Sequence, residues 1–224
     1  GNRGGNLEHQ PSGLIWNVDN WIYTTYSRHR YRVQDGQVIR ESLAHGAGQW
    51  GLTHDNVGRI FYSSAGGENP ATDFQQPIAY GRISLPGEQA DGFREVFPID
   101  NVPDTQGGRG RLRSNNTLNR FTASCGQSIF RGDRMPPDFE GDLIICEPVG
   151  RLIRRADVHN QKGKRVVRNS SPKSEFIAST DPNFRPVNSA TGPDGCLYIV
   201  DMYRGIIQEG NWVREGSYLR DVVK

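Results

Sequence analysis

The chain has 224 residues, 34% of them hydrophobic, with 27 Gly and 13 Pro. That balance suits many short strands and polar turns rather than helices around one large centre. Twenty-seven basic against 25 acidic residues leave a net charge of +2, which excludes a bulk field for nucleic acid, and no apolar run is long enough to span a membrane.

In chain order, the opening "GNRGGNLEHQ" shows no signal-peptide pattern and begins as if inside a loop, which suggests a processed or partial segment. "GLIWNVDNWIYTTY" follows, a short strand, an Asp-Asn turn and an apolar-aromatic strand. "RYRVQDGQVIRE" reads as a hairpin turning at Asp35-Gly36. "GLTHDNVGRIFYSS" repeats the first pattern, as do "FRGDRMPPDFEGDLIICEP" and "SATGPDGCLYIVDMYRG". The turn residues are Asp19, Asp55, Asp142 and Asp194, whose side chains bond to nearby backbone in tight turns. The strands after them (Trp21-Ile22-Tyr23, Ile60-Phe61-Tyr62, Leu143-Ile144-Ile145, Leu197-Tyr198-Ile199) are continuous apolar runs, the pattern of strands covered on both faces. They start unevenly, about 39, 83 and 54 residues apart; the first interval equals a propeller blade of about 40–45 residues. The second contains residues 66–119, rich in Gly, Pro, Asn and Gln, read as a long loop insertion. "VGRLIRRADVHNQKGKRVVR" supplies outer strands for the third unit, and residues 210–224 read as a C-terminal strap. The expected fold is all-β: a propeller, or part of one, with about four recognisable blades of four-stranded antiparallel sheets. A two-sheet sandwich is the alternative.

The basic runs "GGRGRLRSNN", "RLIRR" and "KGKRVVR" carry no interleaved aromatic residues, so they read as solvated loops and strand ends rather than a nucleic-acid site. In a propeller the segments entering the innermost strands converge on one face. Here they bring His9, Gln10, Gln49, Arg120, Thr122, Arg185 and Asn188 to one mouth. A neutral His beside Arg, Gln and Asn suits an anionic, carbonyl-rich ligand and proton abstraction from a hydroxyl. His9 is the candidate general base, with a backbone-bonded structural His as the alternative; Gln49, Arg120, Arg185 and Asn188 are the candidate binding residues. His29, His45, His54 and His159 have no metal-ligand spacing, and no metal ligands can be assigned. No carboxylate pair, nucleophile elbow or phosphate loop is present. Of the three cysteines, Cys125 and Cys146 fall on neighbouring strands. They form either a disulfide, closing a loop of ~20 residues for roughly 3 kcal/mol, or two buried thiols, while Cys196 stays unpaired. No CxxCH occurs, so no haem attaches covalently to this chain.

"LEHQPSGLIWNVDNWIY", "GQWGLTHDNVGRIFY", "CGQSIFRGDRMPPDFEGDLIICEPVGRLIRR" and "EFIASTDPNFRPVNSATGPDGCLYIVDMYRGIIQ" resemble the β-propeller module of large bacterial secreted proteins, the membrane-bound dehydrogenase or PVC-type haem-binding group. That group is similar to soluble pyrroloquinoline-quinone (PQQ) sugar dehydrogenases. The resemblance implies a periplasmic or extracellular setting, membrane association through partner chains, oxidation of a sugar or alcohol with PQQ and calcium, and electrons passed to a c-type cytochrome. It places His9 at the catalytic His and Arg185 against the quinone. Two functions follow. One is a degenerate, non-catalytic scaffold or docking subunit of a larger periplasmic, electron-transfer assembly. The other is an active PQQ-dependent oxidoreductase. A lectin-like propeller ranks behind both.

Overall fold

The structure is a computed structural model, described over residues 10–64, 69–74, 89–101 and 111–205. Among these residues the named elements are β-strands and a 3-10 turn at Pro137–Phe139. No helix among them is long and apolar enough to cross a membrane.

Each Asp-turn unit becomes the leading hairpin of one sheet. The first sheet runs β1 (Ile15–Trp16), β2 (Ile22–Tyr23), β3 (Ser27–Gln34) and β4 (Gln37–Ala47), in that spatial order. The second runs β5 (Gln49–His54), β6 (Ile60–Ser64) and β7 (Asn69–Phe74). The third has β8 (Cys125–Ile129), β9 (Leu143–Glu147), β10 (Leu152–Gln161) and β11 (Lys164–Asn169), with β12 (Ile177–Ala178) also on β10. The fourth is the hairpin β13 (Pro186–Thr191) and β14 (Leu197–Asp201). All strand pairs in these sheets are antiparallel. The Asp35-Gly36 turn joins β3 to β4 as expected, pairing Gln34 with Gln37.

The turn aspartates explain why the motif recurs. Asp19 Oδ1 accepts from Trp21 N at 3.0 Å, and Tyr23 donates its hydroxyl to Oδ2 at 2.6 Å. Asp194 repeats this two and four residues on, accepting from Cys196 N at 3.1 Å and Tyr198 Oη at 3.0 Å. Asp55 accepts from Val57 N and Arg59 N. These three carboxylates close their own turns and hold the return strand, local chemistry repeated, whereas at Asp142 the backbone closes the turn and the carboxylate takes Arg155 of β10.

The sheets stack face to face in chain order. Trp21 and Tyr23 meet Leu52, Ile60 and Tyr62 between the first and second sheets. Phe61 turns the other way, onto Leu143 and Ile145 of the third. Ile144 and Cys146, alternate residues of the same strand, pack with Val187, Leu197 and Ile199 of the fourth. β6 and β9 are therefore covered on both faces, as continuous apolar runs require. Residues 66–119 are not loop throughout. They supply β7, and Phe93, Val96 and Leu118 are buried in the cluster beside Phe61. Scattered single hydrophobics between polar residues carry no period, which is why the segment reads as a loop.

Candidate functional site

The leading strands β5, β8 and β13 lie side by side, with Gly13, just before β1, against β5, and their closest approach is backbone to backbone. A Cβ placed on Gly13 would lie 3.3 Å from Gly51 Cα; one on Gly51 would lie 3.1 Å from Gly126 N. At Gly126, with φ +56°, it would sit 2.8 Å from the Val187 carbonyl carbon and nearer still to Asn188 Cα. Ordinary carbon contacts need about 3.5–4.0 Å, so only glycine fits. The ladder is displaced at these places, between Gln49 and Leu52, Cys125 and Ser128, and Pro186 and Asn188. Such bulges bend a strand and strengthen its twist. Polar side chains complete the seam. Ser63 Oγ donates to Ser124 O at 2.7 Å, Gln127 Nε2 donates to Ser63 Oγ, and the Ser128 and Ser189 hydroxyls meet at 2.7 Å.

The turn ends are linked in the same order. Asn17 Nδ2 donates to Gly58 O at 2.9 Å, Arg131 Nε to Asn56 Oδ1 at 2.7 Å, and Arg134 N to Gly195 O at 3.2 Å. First joins second, second joins third, third joins fourth.

Two of the expected binding residues reach this seam. Gln49 lies in β5 opposite Ser63, and its Oε1 is buried without a hydrogen-bond partner. Asn188 lies in β13 against Gly126, its Oδ1 accepting from Ser189 N at 2.8 Å. Arg185 stands just before β13. Its guanidinium donates to Pro148 O at 2.8 Å, Val149 O at 3.3 Å, Gly205 O at 2.9 Å and Arg204 O at 3.2 Å, clamping the third sheet to the end of the fourth. Arg120 is elsewhere, its backbone paired with that of Glu95 in an isolated antiparallel bridge and its Nε donating to Asn119 Oδ1 at 3.2 Å. Thr122 is buried, its Oγ1 without a hydrogen-bond partner. His9 and the 210–224 strap lie outside the described residues.

Residues 1–224 match the family described as Domain of unknown function (DUF7133). The chain belongs to the DUF7133 family. No curated protein and no solved structure matches it.

The DUF7133 domain buries charges that the sequence leaves looking superficial. The arginines of "RLIRR" are not solvated. Arg151 and Arg154 are buried, Arg154 forms a fully enclosed ion pair with Glu175, and it donates to Phe93 O and Glu95 O. Arg155 Nε bonds Asp142 Oδ2 at 2.5 Å, and its guanidinium lies 3.6 Å from the centre of the Phe139 ring. In "KGKRVVR", Arg165 pairs with Asp55 at 3.2 Å and Arg168 with Asp157 at 2.6 Å. Arg154, Arg155 and Arg165 are thus clamps, each facing a carboxylate from another element, whereas Arg151 donates to Asn101 O and Arg168 is an exposed partner across the β10–β11 hairpin. Glu147 is a further residue the sequence hides. It is fully buried, accepts from Thr122 N and Ala123 N at 2.9 Å and from Val149 N at 3.1 Å, and burial pushes its carboxyl up. It fixes the segment entering β8.

Cys125 and Cys146 are register partners across β8 and β9, as antiparallel pairing requires, and both are free thiols. The described residues do not form a PQQ site. A tricarboxylate quinone needs convergent cationic donors, whereas Arg185 spends its guanidinium on backbone carbonyls, Arg120 Nε donates to Asn119 Oδ1, and the seam is closed by backbone.

Proposed function

We propose that this DUF7133 domain is part of a β-propeller of quinoprotein descent and serves as a non-catalytic scaffold, docking other chains of a periplasmic or extracellular, electron-transfer assembly. The observation that carries this reading is the interlocked seam. Where a catalytic propeller would open a cavity for cofactor and substrate, Gly51, Gly126 and Asn188 press backbone against backbone. Arg185, the residue that the family resemblance sets against a quinone, acts instead as a tie between sheets. Fold alone does not give function, so the reading rests on this chemistry and not on the ancestry.

One observation favours the oxidoreductase reading: Gln49 Oε1 is buried at the seam without a hydrogen-bond partner, an acceptor that a bound ligand could satisfy. Adding PQQ and calcium, then following cofactor absorbance and dye reduction with aldoses, separates the two. The scaffold reading expects no saturable binding and no turnover. Binding with turnover that His9→Ala abolishes overturns it, in favour of a dehydrogenase feeding a c-type cytochrome.

A further inference from the structure

A cleft of about 440 Å³ opens beside the third sheet, lined by none of the seam residues. Its size falls within the range of about 300–1,000 Å³ that small-molecule sites occupy. Three segments build it. Phe97 and Ile99 come from the first, and Ala178 of β12, paired with Leu152 of β10, from the last. Between them in sequence, a tight hairpin with Leu112 bridged to Leu118 contributes Arg113, Asn115 and Thr117. These walls are set before any ligand arrives. The Arg113 guanidinium donates to Leu118 O, to Val96 O at 2.7 Å and to Glu95 Oε1 at 2.9 Å, and lies 5.4 Å from the centre of the Phe97 ring. Phe97 N donates to Glu175 Oε1 at 3.0 Å, which ties the first segment to the last. Walls already held in place lose little freedom on binding, so ordering takes little from the affinity.

Charge separates this cleft from a bare depression. Glu175 is matched by Arg154, and Glu95 by Arg113. Lys173, also in the lining, is exposed and makes no hydrogen bond or ion pair among the described residues. One positive charge therefore stands over. Asn115 spends its Oδ1 on Thr117 N at 3.1 Å and on Thr117 Oγ1 at 2.7 Å, which leaves its amide nitrogen as a further donor. The remaining lining is apolar, and Ile99 is 63% exposed. A concave apolar surface with a few polar groups and one uncompensated cation is the composition of a ligand site.

We infer that this cleft binds a small organic monoanion, its flat apolar body against Phe97, Ile99 and Ala178 and its carboxylate on Lys173 and the Asn115 amide. One surplus cation matches one negative charge, and an inorganic anion would leave the apolar wall in water. The inference goes beyond the scaffold reading, since it assigns a ligand to a docking module. The probe is phenylacetate, titrated into the whole nitrogen-15-labelled chain and followed by amide shifts, with phenylacetamide and acetate alongside. Phenylacetate should saturate at about millimolar concentration, its shifts concentrated at Phe97, Asn115, Thr117 and Ser174. It should bind about two- to fivefold tighter than the uncharged amide, the gain that an exposed ion pair allows, and acetate should not saturate. Lys173→Gln should remove that preference and leave phenylacetamide binding unchanged. Lys162→Gln, at an exposed lysine on the β10–β11 turn, should change neither. Four results each overturn the inference: no saturation, shifts scattered outside the cleft, equal affinity for acid and amide, or a preference that survives Lys173→Gln. PQQ is absent from the titration, so its outcome does not bear on the scaffold reading.

Discussion

The seam between leading strands can be tested at one atom. Gly126→Ala adds a methyl group at φ +56°, 2.8 Å from the Val187 carbonyl carbon. The left-handed conformation costs an L-residue about 1–2 kcal/mol. To reach an ordinary carbon contact of about 3.5–4.0 Å, β13 must retreat by roughly 1 Å. That retreat breaks the Ser128–Ser189 hydrogen bond at 2.7 Å and the Ser189 to Gly126 O bond at 3.2 Å, each contributing about 1 kcal/mol. The sum is about 3–4 kcal/mol. Gly36→Ala is the control: its φ is +73°, but nothing lies within 4 Å of the added carbon, so it bears only the conformational cost of about 1–2 kcal/mol. Because the conformational cost is common to both, urea unfolding followed by far-UV circular dichroism should separate the two by the lost hydrogen bonds, about 2 kcal/mol, roughly 4–8 °C in Tm for a chain of this size. Equal losses for the two variants would refute the claim that β8 and β13 touch through their backbones.

Glu175→Gln removes the anion from an enclosed Arg154 and should cost about 3–5 kcal/mol in urea unfolding, because a buried guanidinium is left uncompensated; a loss under about 1 kcal/mol would mean the pair is hydrated. Burial pushes the Asp142 carboxyl up to about 6, against Arg155 pulling it down. A group raised in the folded state stabilises fully below its unfolded value and loses that contribution as pH rises through the folded one. Asp142 should therefore titrate near 6 by carbon-13 NMR and weaken the fold as pH climbs from 4 to 6; a midpoint near the ordinary 3.8 contradicts it. Burial also pushes the Cys146 thiol up to about 12 and raises Cys125. A disulfide-exchange reagent should label Cys196 alone in the folded protein and all three thiols after unfolding, whereas one reactive thiol in both states would indicate a Cys125–Cys146 bond.

Much of the architecture is legible before any coordinates. The Asp19, Asp55, Asp142 and Asp194 turns mark the four leading hairpins because each turn is closed by its own carboxylate or backbone. "IFY" and "LIIC" announce two-sided burial because no polar residue interrupts them. What escapes is what long-range packing decides. Phe93, Val96 and Leu118 join the core from a segment with no period. Arg154 and Arg155 look like surface charge until Glu175 and Asp142 are brought to them from elsewhere in the chain. The candidate site is legible in part: Gln49 and Asn188 do reach the leading strands, but Arg120 and Arg185 do not point their charge at a common ligand. A signal for the seam was present in Gly13, Gly51 and Gly126, one near the head of each of the first three leading strands, yet a single glycine in a strand looks like a weakness until its neighbour is another backbone.

Nuclear Overhauser contacts between the glycines test the central arrangement most directly. In isotopically labelled protein the account predicts strong signals from Gly13 Hα to Gly51 Hα, from Gly51 Hα to the Gly126 amide, and from Gly126 Hα to Asn188 Hα, since the heavy atoms along these directions approach within ordinary contact. Absence of all three, with the strand-pairing signals inside each sheet intact, would place the leading strands apart and remove the shared seam on which the scaffold reading is built.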